Sequence, residues 1–426
     1  MKETKFKQTE VGMIPSDWGV EPLANIANTA SGGTPSRSNE AFYKGSIKWF
    51  TTTELKDCNL YDSVEHISKQ AVECSSAKIF PKDTLLMAMY GATIGKLGLL
   101  KCDAATNQAC CAIFPKKTDV LYLYYFLLHN RENIIAMGCG AGQPNVSQEI
   151  VKKINIPLPP TIEEQQRIAN ALSDVDTLIV NLEKLIAKKK NIKQGAMQQL
   201  LTGRKRLPGF APAKPTYKQT ELGKIPTDWE IIFIKRNYFL KGRIGWQGLK
   251  ASEFKTEGPY LVTGTDFVNG RVNWETCYHI TEKRYEEDPA LHVQLNDLLI
   301  TKDGTVGKVA YIDKKPEKVS LNSHLLIIRP LRDFLNNKYL YYVLNSPFFE
   351  TYFNQVQTGT TMASLSQAKI SEFSYPLPSF NEQTAIANIL SDMDAEIATL
   401  ETKLAKYRKL KTGMMQQLLT GKIRLV

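Results

Sequence analysis

Two stretches of the chain carry an apolar residue alternately every four and every three positions. The first holds Ile168, Leu172, Val175, Ile179, Leu182 and Ile186; the second holds Ile386, Leu390, Met393, Ile397, Leu400 and Leu404, followed by Tyr407. That alternation is a coiled-coil seam. It predicts helices over 161–203 and 380–421, each of about 40 residues and so roughly 60 Å long at ~1.5 Å per residue. Pro157-Leu158-Pro159 and Pro376-Leu377-Pro378 stand before them, where proline ends a strand or loop. Gly203 and Gly421 follow, where a left-handed residue stops a helix. Lys188, Lys189, Lys190 and Lys193 suit the negative end of the first helix dipole and otherwise read as a solvated face. A helix with one apolar stripe needs a partner in water. The matching seams predict that the two helices pair antiparallel; the alternative is two separate helices, each packed on its own domain.

Elsewhere the pattern is shorter. Ile47-Lys-Trp-Phe-Thr-Thr-Thr53 alternates like a strand after the Gly/Pro turn Thr29–Arg37, and Asp83–Lys96 reads strand, turn, strand. Tyr122–Leu128 is almost wholly apolar and predicts a buried helix, with Tyr339–Leu344 as its equivalent. Their aromatics belong to the core rather than to a base-stacking platform.

The equivalence reflects an internal repeat, and the repeat decides the architecture. Phe6-Lys-Gln-Thr-Glu-Val-Gly-Met-Ile-Pro-Ser-Asp-Trp18 returns 211 positions later as Tyr217-Lys-Gln-Thr-Glu-Leu-Gly-Lys-Ile-Pro-Thr-Asp-Trp229. Ile168-Ala-Asn-Ala-Leu-Ser-Asp-Val-Asp176 and Gln198-Gln-Leu-Leu-Thr-Gly203 both return after 218, at Ile386–Asp394 and Gln416–Gly421. Between these ends only a skeleton persists: Gly95-Lys96 with Gly307-Lys308, Tyr124-Tyr125 with Tyr341-Tyr342, Gly140 and Ser147 with Gly359 and Ser366. A shared frame with different surfaces suggests two domains reading two targets; drift after duplication is the alternative. Arg204–Tyr217, with Pro208, Gly209, Pro212 and Pro215, reads as a loop joining the first helix to the second Tyr/Phe–Trp segment. The second helix finds its matching segment at Phe6–Trp18. The arrangement is therefore cyclic, and the termini are expected to lie close together.

The chain has 426 residues, enough for two or three domains. Its 54 Lys and Arg against 43 Asp and Glu give a net charge of +11. Such a balance favours a polyanionic partner, nucleic acid before an anionic membrane surface, although a basic protein with neither is the plain alternative. Met1-Lys-Glu-Thr-Lys5 lacks the apolar core of a signal peptide, and no apolar run reaches the roughly 18 residues of a spanning helix. A cytoplasmic protein is expected, without a membrane role. The seven cysteines form no CxxC pair, and six lie in the first half. They read as reduced thiols, mostly buried or incidental.

Several of these segments together resemble the specificity subunit of Type I restriction-modification systems, over essentially the whole length. The resemblance rests on Thr220–Trp229 and its N-terminal twin, Ser31-Gly-Gly-Thr-Pro35, Gly91-Ala-Thr-Ile-Gly-Lys96, Pro157-Leu-Pro-Pro160 leading to Glu164-Gln-Gln-Arg-Ile168, and Gln198–Gly203. It implies an α+β fold: two pseudo-twofold-related α/β target-recognition domains joined by two long antiparallel coiled-coil helices. On this reading the domains are 1–160 and 220–379, the helices 161–203 and 380–421, and the linker 204–219. The resemblance further implies that each domain reads half of a split site on double-stranded DNA. The helices would set the gap and dock two methyltransferase subunits, with endonuclease-translocase subunits in the full complex. No cofactor is expected in this chain, whereas S-adenosylmethionine, ATP and Mg are expected in the partners. The second domain lacks Gly-Gly-Thr-Pro and has Lys241-Gly-Arg-Ile-Gly-Trp-Gln247 instead, which leaves its half-site more open.

Catalytic patterns are poor by comparison. Gly91–Lys96 has three residues between its glycines where a phosphate loop has four, and Leu97 stands where Ser or Thr would hold magnesium. A lysine offered to DNA phosphate fits that turn better. His66, His129, His279, His292 and His324 make no HxxxH or HxH pair, and no dinucleotide loop or methyltransferase tetrapeptide stands out. The chain is therefore read as non-catalytic; a free-standing DNA-binding regulator and a cryptic nuclease or methyltransferase stay open. Candidate DNA contacts are Ser36, Arg37, Lys48, Thr52 and Lys96 in the first domain, and Arg243, Gln247, Lys250, Lys302 and Lys308 in the second. For each the alternative is an ordinary solvated side chain.

Overall fold

The structure is a computed structural model describing residues 5–138, 145–243, 249–357 and 365–425. The chain divides into two compact units, Met1–Glu183 with Thr402–Val426, and Lys184–Glu401. The division falls inside the long helices, Ile162–Leu200 and Phe380–Leu418. Each unit takes the start of one helix and the end of the other. The helices stop short of the expected ends at 203 and 421, which fall in the closing turns.

Within each unit the helix segments run antiparallel. In unit 1, Lys411 pairs with Asp176 at 2.6 Å and Arg408 with Glu183 at 2.6 Å, so the numbering rises on one helix as it falls on the other. In unit 2, Lys193 pairs with Asp394 at 2.5 Å and Lys189 with Glu396 at 2.6 Å. Three of the lysines expected as a solvated face, Lys189, Lys190 and Lys193, thus bridge to the neighbouring helix. The seam residues Ile168, Leu172, Val175, Ile179, Leu182, Ile186, Ile386, Leu390, Ile397 and Leu404 are buried; Met393 and Leu400 are half-buried. Ile168 and Leu172 join Met415, Leu418 and Leu419 in the core of unit 1, and Ile386 and Leu390 join Met197, Leu200 and Leu201 in that of unit 2.

Besides two-stranded ladders, each unit carries two larger sheets of related build. In unit 1 the order is Ala27–Ser31, Cys110–Pro115, Leu85–Ala88, Leu97–Leu100, Cys58–Leu60; in unit 2 it is Tyr238–Gly242, Leu325–Pro330, Leu298–Thr301, Val309–Tyr311. The central strands are buried from end to end because both faces are covered, as in Leu85–Ala88 and Leu298–Thr301. The second sheet has a parallel pair at its heart: Ile47–Phe50 with Ala104–Thr106, and Lys255–Val262 with Val319–Leu321. The aromatic helices are Val120–His129 and Asn337–Leu344, each capped by a side-chain carboxylate or amide, Asp119 or Asn336. Tyr122 and Tyr339 are wholly buried and donate to the Pro157 and Pro376 carbonyls. Tyr125 and Tyr342 reach the helices, donating to Asp176 and Asp394 at 2.9 Å each. These aromatics are core, as their pattern predicts.

A charge hub closes each unit. Arg424 places Nε 2.5 Å and Nη2 2.8 Å from the two oxygens of Glu164, holds Asp17 at 3.0 Å, and lies over the Trp18 ring. Arg206 repeats the arrangement with Glu382, Asp228 and Trp229. Gly203 and Gly421 make room for it: φ is +67° and +68°, and a Cβ would lie within 2.5 Å of Pro226 or Pro15. Only glycine takes that backbone cheaply with a ring so near. The contact of Arg424 with Asp17 brings the two ends of the chain together, as the cyclic repeat predicts.

Six cysteines are free among the described residues; Cys110, Cys111 and Cys277 are buried, whereas Cys58 and Cys74 are exposed. Burial pushes the Cys111 thiol up to about 12. Cys139 lies outside the described residues. No helix among the described residues is long and apolar enough to cross a membrane.

Candidate nucleic-acid interface

The two units build one polar turn from different sequences. In unit 1 the parallel strands end side by side, with Thr106 opposite Phe50. Thr51 then opens a tight turn over Thr52–Glu54. The Glu54 carboxylate accepts the Thr51 backbone N–H at 2.8 Å, and the Thr51 and Thr53 hydroxyls lie 2.7 Å apart. In unit 2, Leu321 lies opposite Val262 and Thr263 opens the turn Gly264–Asp266. Asp266 accepts the Thr263 N–H at 2.8 Å, and the Thr263 and Thr265 hydroxyls are again 2.7 Å apart. An acid three residues after a capping threonine satisfies an otherwise orphaned N–H, which fixes the turn. The neighbouring strand continues alike in both: the backbone N–H groups of Asn107 and Asn322 donate to Phe50 and Val262 at 3.0 Å.

Beyond that frame the units part. Unit 1 exposes Gln108, whose amide oxygen accepts the Thr34 hydroxyl. Thr34 belongs to the Gly-Gly-Thr-Pro turn, and that turn is anchored by the Trp49 indole N–H donating to the Gly33 carbonyl at 3.0 Å. A Cβ on Gly33 would stand 2.3 Å from the Ser76 backbone, so the close approach requires glycine. In unit 2 the corresponding tip is Ser323-His324, with the His324 ring on Asp303. The backbone N–H groups of Met89 and Lys302 donate to Ala109 and His324 at 2.9 Å, which sets Tyr90 and Asp303 beside the tips. Tyr90 is 38% exposed and the His324 side chain 62%, so both can meet a partner.

Of this cluster the sequence candidates include Thr52 but neither Gln108 nor His324. Its signal was a Thr-x-Thr-acid step after a strand, at Thr51 and again 212 positions on at Thr263. That offset is one away from the 211 of the Trp segments. The other sequence candidates are mostly basic, and the structure sorts them.

Arg37 is exposed. Its two terminal nitrogens lie 2.5 and 2.8 Å from the Glu65 carboxylate, and its guanidinium stacks 4.2 Å from the Tyr43 centroid. The Arg37 hydrogen bond holds the Glu65 carboxyl below the usual range. Ser36 is exposed with its hydroxyl 2.8 Å from that of Ser38. Lys48 donates to the Tyr61 carbonyl at 2.6 Å, and Thr52 is half-buried in the tight turn.

Lys96 is already engaged, its ammonium 2.9 Å from Asp57, which also takes Arg131. Its charge is therefore partly offset within unit 1. Asn269 occupies the place of Asp57 in unit 2, each with positive φ, so the acid is lost there and Lys308 is exposed. Arg243 is a correction: it is buried, donating to the Leu321 carbonyl and the Ser320 hydroxyl at 3.1 Å each. Burial, followed by repulsion from Arg284, lowers its pKa. It ties one strand to the next and is shielded from solvent. Lys250 is exposed and Lys302 half-buried. Gln247 lies outside the described residues.

No group of three or more potential metal ligands occurs among the described residues. The family model for the Type I restriction modification DNA specificity domain matches residues 15–194 and again 245–407. The MjaVIII specificity subunit of Methanocaldococcus jannaschii is 26% identical over 433 residues, covering 99% of this chain and 97% of its own. The EcoR124I/EcoR124II specificity subunit of Escherichia coli is 28% identical over 180 residues, 41% of this chain and 43% of its own. In fold the chain is similar to the crystal structure of the S subunit from M. genitalium, with a TM-score of 0.61 at 17% identity, covering 97% of this chain and 98% of that one. With the family's domain matched in both repeats, the chain belongs to the Type I restriction-modification DNA specificity family.

Proposed function

We propose that this chain reads a bipartite DNA site, one half with each unit, and carries the catalytic partners of a Type I restriction-modification complex to it. The observation that supports this most is the repeat itself. One family domain occurs twice, on matching frames that end in different polar tips. Two unlike tips on like frames suit two unlike half-sites. A net charge of +11 supplies the sequence-independent attraction to phosphate.

Members of this family recognise DNA and work with partner subunits, and chemistry belongs to those partners. On our reading the partners are two methyltransferase subunits, which use S-adenosylmethionine. Endonuclease-translocase subunits, which need ATP and Mg, join in the full complex. The chain would then be found in the cytoplasm with its DNA.

The purified chain alone should bind DNA weakly and neither methylate nor cut it. Co-expression with the methyltransferase subunits should give a stable complex that methylates one bipartite sequence. Methylation by the chain alone, or a contiguous recognition sequence, would overturn the proposal.

A further inference from the structure

We infer that base reading is done by the tips beyond the parallel strands, Gln108 with Thr53 in unit 1 and Ser323 and His324 with Thr265 in unit 2. The inference rests on the proposed DNA-reading role and names the residues that carry it out.

Three observations converge on these tips. The frame beneath them is the same in both units: threonine turns pinned at 2.8 Å by Glu54 and Asp266, and asparagine N–H groups tied at 3.0 Å to the adjacent strand. Such matching details in otherwise diverged sequences mark a place where both units need the backbone fixed. The residues the frame presents then differ: Gln108 against Ser323, Ala109 against His324, Tyr90 against Asp303. A frame that keeps its hydrogen bonds while the presented groups change is what two unlike half-sites require. Finally, the presented groups are exposed yet held. Thr53, Gln108, Thr265 and His324 face solvent, while Gln108 is braced by Thr34 and His324 by Asp303.

A braced amide, hydroxyl or imidazole is the chemistry that tells base edges apart in the major groove, because donors and acceptors must arrive in fixed positions. The basic residues are placed differently. Arg37 is forked onto Glu65, Lys96 onto Asp57, and Arg243 is buried. These three shape the surface or support it, and the polar tips are placed to discriminate.

The test is selection from a pool of randomised duplexes by the assembled complex with its methyltransferase subunits, followed by sequencing. The variants are Gln108→Ala, His324→Ala and Ser323→Ala, with Thr53→Ala as a milder probe of unit 1. All four sites are at least partly exposed, and circular dichroism and melting of each complex report folding. Gln108→Ala should lower the preference at one or two positions of one half-site by roughly five- to a hundredfold. The other half should be unchanged. His324→Ala or Ser323→Ala should do the same in the opposite half. A selected motif unchanged in all variants would overturn the inference, and so would loss of both halves together. A wild-type complex that selects no bipartite motif would instead overturn the proposed function itself.

Discussion

Consider the loss of Arg424. Its side chain is 15% exposed and Glu164 beneath it only 3%, whereas Asp17 is 53% exposed. Its contacts with Glu164, Asp17 and Trp18 are therefore unequal. The contact with Asp17 faces water and contributes at most about 1 kcal/mol, and stacking on Trp18 adds about 0.5–1 kcal/mol. The dominant cost of Arg424→Met is the Glu164 carboxylate left buried without its cation, about 3–5 kcal/mol. A net loss of about 4 kcal/mol corresponds to roughly a thousandfold rise in local opening. The hairpin Phe6–Pro15, which the hub ties to the closing turn of the second long helix, should report it through backbone hydrogen exchange. Its twin, Tyr217–Pro226, sits on the intact Arg206 hub and serves as the control within the same molecule. The double variant Arg424→Met with Glu164→Met removes both buried charges and should recover most of the protection, to within about 1 kcal/mol. Equal loss of protection in the two hairpins would refute this reasoning, as would a double variant no better than the single one.

Other expectations follow from the same geometry. Lys308→Ala in the assembled complex should reduce the salt dependence of DNA binding by about one unit, whereas Lys96→Ala, whose charge Asp57 already offsets, should change it little; equal slopes for the two variants would count against the distinction. Replacing Glu230–Ser374 with the matching segment of a relative should alter one half of the methylated sequence and leave the other, which methylome sequencing would read directly. A heptad inserted after Leu182 together with one after Leu400 keeps the seam nearly in register. It lengthens each helix by about 10.5 Å, so the unread gap should grow by about three base pairs at ~3.4 Å each; an active complex with the original gap would show that the helices do not set it.

The sequence by itself determined the parts whose cause is local or periodic. The seams from Ile168 to Ile186 and from Ile386 to Leu404 follow from the spacing of apolar residues. The glycine stops at Gly203 and Gly421 follow from backbone chirality, and the buried helices around Tyr122 and Tyr339 from runs with no polar face. The repeat determined more, since two copies of one segment at matching offsets imply the cyclic order and the meeting of the chain ends. What the tertiary structure alone decided is where each charge goes. Arg37, Lys96 and Arg243 look alike along the chain, yet one is forked onto Glu65, one onto Asp57 and one is buried between strands. Their partners stand 28, 39 and 77 or 78 residues away, beyond any periodicity. The compact units were hidden for the same reason: antiparallel pairing lets residues after Thr402 complete a core begun at Ile14. The tips at Gln108 and His324 became visible only when the strands were laid side by side. Being read by a partner depends on exposure and on a fixed backbone, and both arise from contacts between segments that are remote along the chain.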